Sequence, residues 1–155
     1  MWATVKADAY GHGAVAIAHH AARSGVGAFG VGTASEALEL RRAGICEPIL
    51  VLGTIVDEEV TACMHQGIHI GVHSTSRCRA LQRMAAAQGR EALVHLNVDT
   101  GMGRLGVLPE RALELLREIQ GASHLTLAGV MTHISSPSGD ASALLAACSA
   151  SKDSP

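Results

Sequence analysis

The feature that most constrains this chain is a short apolar run followed by an amphipathic stretch, repeated about every 25 residues as in βα units. The apolar runs are Ala3-Thr4-Val5, Ala28-Phe29-Gly30-Val31, Ile49-Leu50-Val51-Leu52, Ile68-His69-Ile70-Gly71-Val72, Leu93-Val94-His95-Leu96-Asn97-Val98 and Leu125-Thr126-Leu127-Ala128-Gly129-Val130-Met131. Each has strand length, and Ile49 to Leu52 is apolar without a break, as in a strand covered on both faces. Between the runs the spacing predicts helices over 14–24, 33–42, 57–65, 74–88 and 110–120. Thr33 or Ser35, and Ser74 or Thr75, can cap helix starts, and Pro109 suits a first turn. Gly25, Gly44, Gly67 and Gly89 stand where helices stop. Six strands separated by five helices imply parallel pairing through right-handed crossovers. A doubly wound sheet and a (β/α)8 barrel share this local pattern. A closed barrel takes eight units and about 250 residues, and this chain has 155.

Composition narrows the function classes. Apolar residues make up 48% of the chain and charged residues 17%, so it folds rather than staying disordered. With 2% aromatics the core has to be built from Ala, Val, Leu and Ile. A net charge of −2 offers no footprint for nucleic acid. Arg41-Arg42 and Arg77/Arg79 read as solvated helix faces, offset in part by Glu36, Glu39 and Glu47. The four cysteines form no C-x-x-C pair and read as reduced thiols of a cytoplasmic protein. No apolar run reaches the ~18 residues of a membrane span. Ala14 to Ala18 could pass for a signal core, but Asp8 and the glycines before it are the wrong flank. From Ser135 serines accumulate, so 135–155 is expected to be a flexible tail with a marginal helix over 141–148, leaving 1–134 as the folded domain.

Two segments carry chemistry. The first strand runs into Val5-Lys6-Ala7-Asp8-Ala9-Tyr10-Gly11-His12-Gly13, which puts Lys6 at the carboxyl edge of a parallel strand, where barrel active sites collect. A lysine that forms a Schiff base needs a partly desolvated amine, although position alone fits a surface lysine too. After the fifth strand comes Val98-Asp99-Thr100-Gly101-Met102-Gly103-Arg104-Leu105-Gly106. Its glycines imply a tight turn, and Arg104 is a fixed cation suited to an anionic oxygen. His65, His69 and His73 have the spacing of metal ligands on one helix. Gly67 and Gly71 interrupt them, and Ile68, Ile70 and Val72 alternate as a strand, which separates the ligands, so no metal site is expected.

Both segments resemble signatures of the alanine racemases, the first essentially letter for letter. Pro48-Ile49-Leu50-Val51-Leu52-Gly53 and Met131-Thr132-His133 fit the same register, and the resemblance runs from about residue 3 to 134. It implies a truncated amino-terminal domain: a partial (β/α)8 barrel of about six of its eight units. It implies pyridoxal 5'-phosphate joined to Lys6, with Tyr10 helping to bind the phosphate, Arg104 contacting the phenolic oxygen, Leu52 bordering the coenzyme and His133 close to its ring. The activity implied is interconversion of L- and D-alanine, which supplies D-alanine for peptidoglycan. The freed Lys6 amine then serves as base on one face. In the family the acid on the other face is a tyrosine from the carboxyl-terminal domain of the partner subunit, so the full-length protein is expected to be a homodimer. One departure is Asn97, where many relatives carry a lysine, often carbamylated, which orients the arginine. Asn97 forms hydrogen bonds but brings no negative charge. The expectation is an incomplete racemase, inactive alone and weakened by an open sheet edge. The alternatives are a non-catalytic coenzyme-binding module, or a structural fragment needing a complementary chain. The residues do not separate alanine from serine as substrate.

Overall fold

A computed structural model describes residues 1–135, and the segment 136–155, with the helix expected over 141–148, lies outside the described residues. The elements in chain order are β1 (Trp2–Thr4), α1 (Lys6–Gly11), α2 (Ala14–Arg23), β2 (Ala28–Val31), α3 (Ala34–Arg42), β3 (Ile49–Val51), α4 (Asp57–His65), β4 (Ile68–Val72), α5 (Thr75–Ala87), β5 (Ala92–Val98), α6 (Pro109–Gly121) and β6 (Leu125–Thr132). All six strands pair in parallel, and their order in the sheet is their order in the chain. A doubly wound sheet reverses direction at a switch point. Here the winding never reverses, so the sheet is six units of a barrel, and among the described residues β1 and β6 stay unpaired with each other.

The strands present two different faces. One face carries Phe29, Val31, Ile49, Val51, Ile68, Ile70, Val72, Val94 and Leu96, all buried in a single core. Helix residues Ala18, Ala37, Leu40, Val60, Leu81, Ala85, Leu115 and Ile119 complete that core. The alanines let the helices sit close to the sheet, and each large side chain buried this way contributes about 1.5–3 kcal/mol. Cys63 and Cys78 are core residues too, and burial pushes both thiols up to about 11. The other face, with Trp2, Thr4, Gly30, Leu50, His95, Asn97, Gly129 and Met131, turns toward the barrel interior. Val130 and Ile134 beside the β6 edge are 60% and 47% exposed.

Two expectations about charge need correction. Arg41 is no solvated helix residue: its guanidinium donates to the carbonyls of Glu47 at 2.8 Å and Gln66 at 3.0 Å, and to that of Ile45. Arg77 donates to the Ile55 carbonyl at 2.6 Å and pairs with Asp57. Both arginines satisfy carbonyls orphaned where loops leave the helices and strands, a demand that sequence charge balance does not register. No helix of the described residues is long and apolar enough to cross a membrane.

Candidate functional site

The largest departure from the sequence reading lies just after β1. The segment there is a left-handed turn built from non-glycine residues: Ala7, Asp8, Ala9 and Tyr10 have φ of 51°, 54°, 52° and 57°. Each L-residue held this way costs roughly 1–2 kcal/mol, so contacts must impose the shape. Ala9 N donates to the Val5 carbonyl at 2.9 Å, and Gly13 N to the Asp8 carbonyl at 3.0 Å. The Asp8 carboxylate accepts from Ala14 N at 2.7 Å, fastening the turn to the start of α2. On the other side Ala7 N donates to Glu36 Oε1 at 2.8 Å. Lys6 and Tyr10 stand at the two ends of this turn, and both line one cavity.

The second motif forms the opposite wall. Asp99 Oδ1 accepts from Gly101 N and Gly103 N, both at 3.0 Å. Those bonds, Gly103's first, hold the Asp99 carboxyl below the usual carboxylate range. Val107 N reaches the Asn97 carbonyl and Asp99 N the Val107 carbonyl, each at 2.8 Å, so the loop closes back on β5. Gly106 makes this closure possible: it sits at φ +138°, and a Cβ there would lie 2.5 Å from Asp99 N. Thr100 and Thr132 share a 2.7 Å hydroxyl hydrogen bond that ties the loop to the end of β6. Arg104 projects from this loop into the cavity wall.

The cavity encloses about 500 Å³, within the range of ordinary small-molecule sites. Lys6, Tyr10, Leu52, Arg104 and His133 all line it, although they come from the ends of β1, β3, β5 and β6. Leu52 lies one residue past β3 and His133 one past β6. Lys6 and Leu52 are half-buried, while Tyr10, Arg104 and His133 are exposed, because the sheet is open on that side. The lining offers an amine for a carbonyl carbon, a phenol and a guanidinium for anionic oxygens, and Leu50, Leu52 and Met131 for an apolar ring. That donor set suits a small aromatic aldehyde with anionic substituents. Asn97, only 7% exposed, adds an amide to the wall.

The sequence reading missed a polar cluster on the cavity floor. His69 Nδ1 and His95 Nε2 lie 2.9 Å apart, and the Trp2 ring packs edge-on against both imidazoles. One nitrogen donates and the other accepts, so the accepting ring is neutral and the two cannot both be protonated in this pair. Burial, then His69, pushes His95 down to about 4, and burial, then Arg41, lowers His69. The floor leaves no room beside His95: a Cβ on Gly129 would meet its ring at 2.9 Å, next to the register shift between β5 and β6. His65 ends α4 and His73 lies one residue past β4, so neither sits on a strand beside this pair. Strand alternation puts His69 and His95 on the inward face, but their meeting depends on the β4–β5 register.

Comparison with known proteins agrees with this architecture. A family profile described as alanine racemase, N-terminal domain, matches residues 1–150. An alanine racemase of Methylacidiphilum infernorum is 37% identical over 138 residues, covering 89% of this chain and 36% of its own. The structure of an alanine racemase from Clostridium difficile in complex with cycloserine superposes with a TM-score of 0.92 at 31% identity, covering 97% of this chain and 42% of that one. A histidine racemase from Leuconostoc mesenteroides superposes at 0.87 with 27% identity, covering 96% and 41%. The chain therefore spans little more than a third of the length of the relatives it matches.

Proposed function

The chain belongs to the alanine racemase N-terminal domain family, and from that premise we propose that it forms the coenzyme-holding half of an amino-acid racemase site. The observation that carries this reading is the convergence of Lys6, Tyr10, Leu52, Arg104 and His133 on one cavity from separate strand ends. The coenzyme proposed is pyridoxal 5'-phosphate. Lys6 Nζ would hold it covalently, the Tyr10 hydroxyl would donate to its phosphate, and the Arg104 guanidinium would meet its phenolic oxygen. Leu52 would border the ring and His133 would lie beside it. When bound, this coenzyme supplies an electron sink for the charge left as a Cα proton departs.

The chain's own groups do the rest. Lys6 Nζ would take the Cα proton on one face in one direction of the reaction and deliver a proton to that same face in the reverse direction. Leu50, Leu52 and Met131 would give the coenzyme ring its apolar surroundings. Arg104 would bring a guanidinium to the phenolic oxygen, but Asn97 gives it no charged partner of the kind many relatives carry. Inversion demands a proton from the opposite face, and the chain's one tyrosine, Tyr10, is already assigned to the phosphate. That proton is proposed to come from a partner subunit in a homodimer, so the site turns over only in a fuller assembly. Alanine is the substrate proposed, on the relatives' names, with D-alanine passing to peptidoglycan in the cytoplasm.

The experiment is to mix the chain with pyridoxal phosphate, reduce with borohydride and map the peptides. A pyridoxyl group on Lys6 is expected, and no label at millimolar coenzyme would refute the reading. Label without racemisation supports a binding module, whereas racemisation lost in Lys6→Ala supports turnover by this chain.

A further inference from the structure

We propose that Glu36 is a positioning residue for Lys6: its one carboxylate ties the left-handed turn to the β2–α3 loop and so sets where the lysine amine stands in the cavity. The inference rests on the reading that Lys6 is the coenzyme lysine.

In a capping box the acidic side chain at the third helical position bonds back to its own helix start. Glu36 does this for α3: Oε2 accepts from Thr33 N at 3.2 Å, while Thr33 Oγ1 accepts from Glu36 N at 3.3 Å. The same oxygen also takes Gly32 N at 2.6 Å. Oε1 faces away from α3 altogether and accepts from Ala7 N at 2.8 Å, 29 residues back in the chain. A carboxylate only accepts, so it alone among side chains of this size can bind backbone N–H groups on both its oxygens at once.

The position of that last bond matters. Asp8, the next residue of the left-handed turn, is moored locally to the start of α2. The near end, one residue from Lys6, is moored by Glu36. Ala7 lies in the first turn of this segment, where a backbone N–H has no partner within the turn, and Glu36 supplies one from another βα unit. Gly32 keeps the two units in contact: a Cβ there would lie 3.6 Å from Lys6 Cβ and 3.3 Å from Glu36 Oε2. The start of α3 and the lysine thus approach each other across Gly32. A shift of Glu36 therefore moves the backbone that aims Lys6.

The test compares the wild-type chain with Glu36→Gln, Glu36→Ala and Thr33→Ala. Glu36→Gln keeps one accepting oxygen and turns a donor toward a backbone N–H, so it serves one loop and not both. Thr33→Ala weakens the α3 cap but leaves the bond to Ala7. Hydrogen exchange on the coenzyme-free chain should show the Ala7 amide opening about tenfold faster in both Glu36 variants, as expected for loss of a bond to a charged group. Leu40 in the last turn of α3 should change little. Borohydride-trapped label on Lys6 at limiting pyridoxal phosphate should fall by a similar factor in the Glu36 variants and hold in Thr33→Ala, whose loss is in thermal stability alone. Lys152, the chain's other lysine, serves as the internal reference for labelling. Unchanged Lys6 labelling in Glu36→Ala, or an equal drop in Thr33→Ala, would overturn the proposal. Failure of the wild-type chain to label at all would instead strike the reading of Lys6, with the Ala7 exchange still reporting on the clamp.

Discussion

The two faces of the sheet solve different problems. The outward face is continuous Val, Ile, Leu and Phe locked under helices. The inward face holds a histidine pair, a tryptophan, an asparagine, two threonines and several glycines around a cavity. Stability is concentrated on the first and chemistry on the second, as in barrels whose strand ends carry function while the packed layers carry the fold. The same strands serve both because successive side chains point opposite ways.

Substitutions that cross this divide should behave differently. The largest effect belongs to the outward face: Phe29→Ala, at a fully buried position, should cost about 3–5 kcal/mol in urea unfolding. It should leave labelling of Lys6 unchanged per folded molecule. A comparable loss from an inward residue such as Thr4→Ala would blur the comparison.

Acid should attack the inward face. Burial holds His69 and His95 below the free imidazole value, with Arg41 adding to it at His69 and His69 adding to it at His95, which is pushed down to about 4. Between about 6.5 and about 4 the unfolded chain therefore binds more protons than the folded one. Stability is full above that window and is lost as pH falls through it, by up to about 3 kcal/mol. Unfolding curves recorded across this range check the slope, and His95→Gln should flatten it.

A smaller effect is expected where the Arg104 loop closes on β5. Gly106→Ala places a Cβ 2.5 Å from Asp99 N at φ +138°, which should cost about 1–3 kcal/mol in a thermal melt. It should weaken coenzyme binding more than Phe29→Ala does. Smallest in stability is Lys6→Ala, expected within about 0.5 kcal/mol of the parent in the same melt, yet with labelling at that position abolished.

This division also explains what was legible in the sequence. Outward residues announce themselves: the runs at Ile49–Leu52 and Ile68–Val72 locate β3 and β4 because apolar period and strand period coincide. The nonapeptide around Lys6 and the loop around Arg104 were legible as motifs, and both reached the same cavity. The shape of the first motif was hidden. Propensity reserves positive φ for glycine, whereas here Ala7 to Tyr10 adopt it under constraints from Glu36 and Asp8. Glu36 looked like surface charge because its target lies 29 residues away. The His69–His95 contact spans 26 residues and needs the β4–β5 register, which no local pattern encodes. Arg41 and Arg77 escaped for a related reason, since both reach backbone carbonyls, which a balance of charges does not register.

The chain's two lysines, Lys6 and Lys152, allow the most direct test. Pyridoxal phosphate is trapped with borohydride on the native chain and on the chain in concentrated urea, and the label on each lysine is weighed by mass spectrometry. If the folded sheet edge makes Lys6 a coenzyme site, the native chain carries its label overwhelmingly there, and urea brings the two lysines to parity. Equal labelling in the native chain would contradict the account.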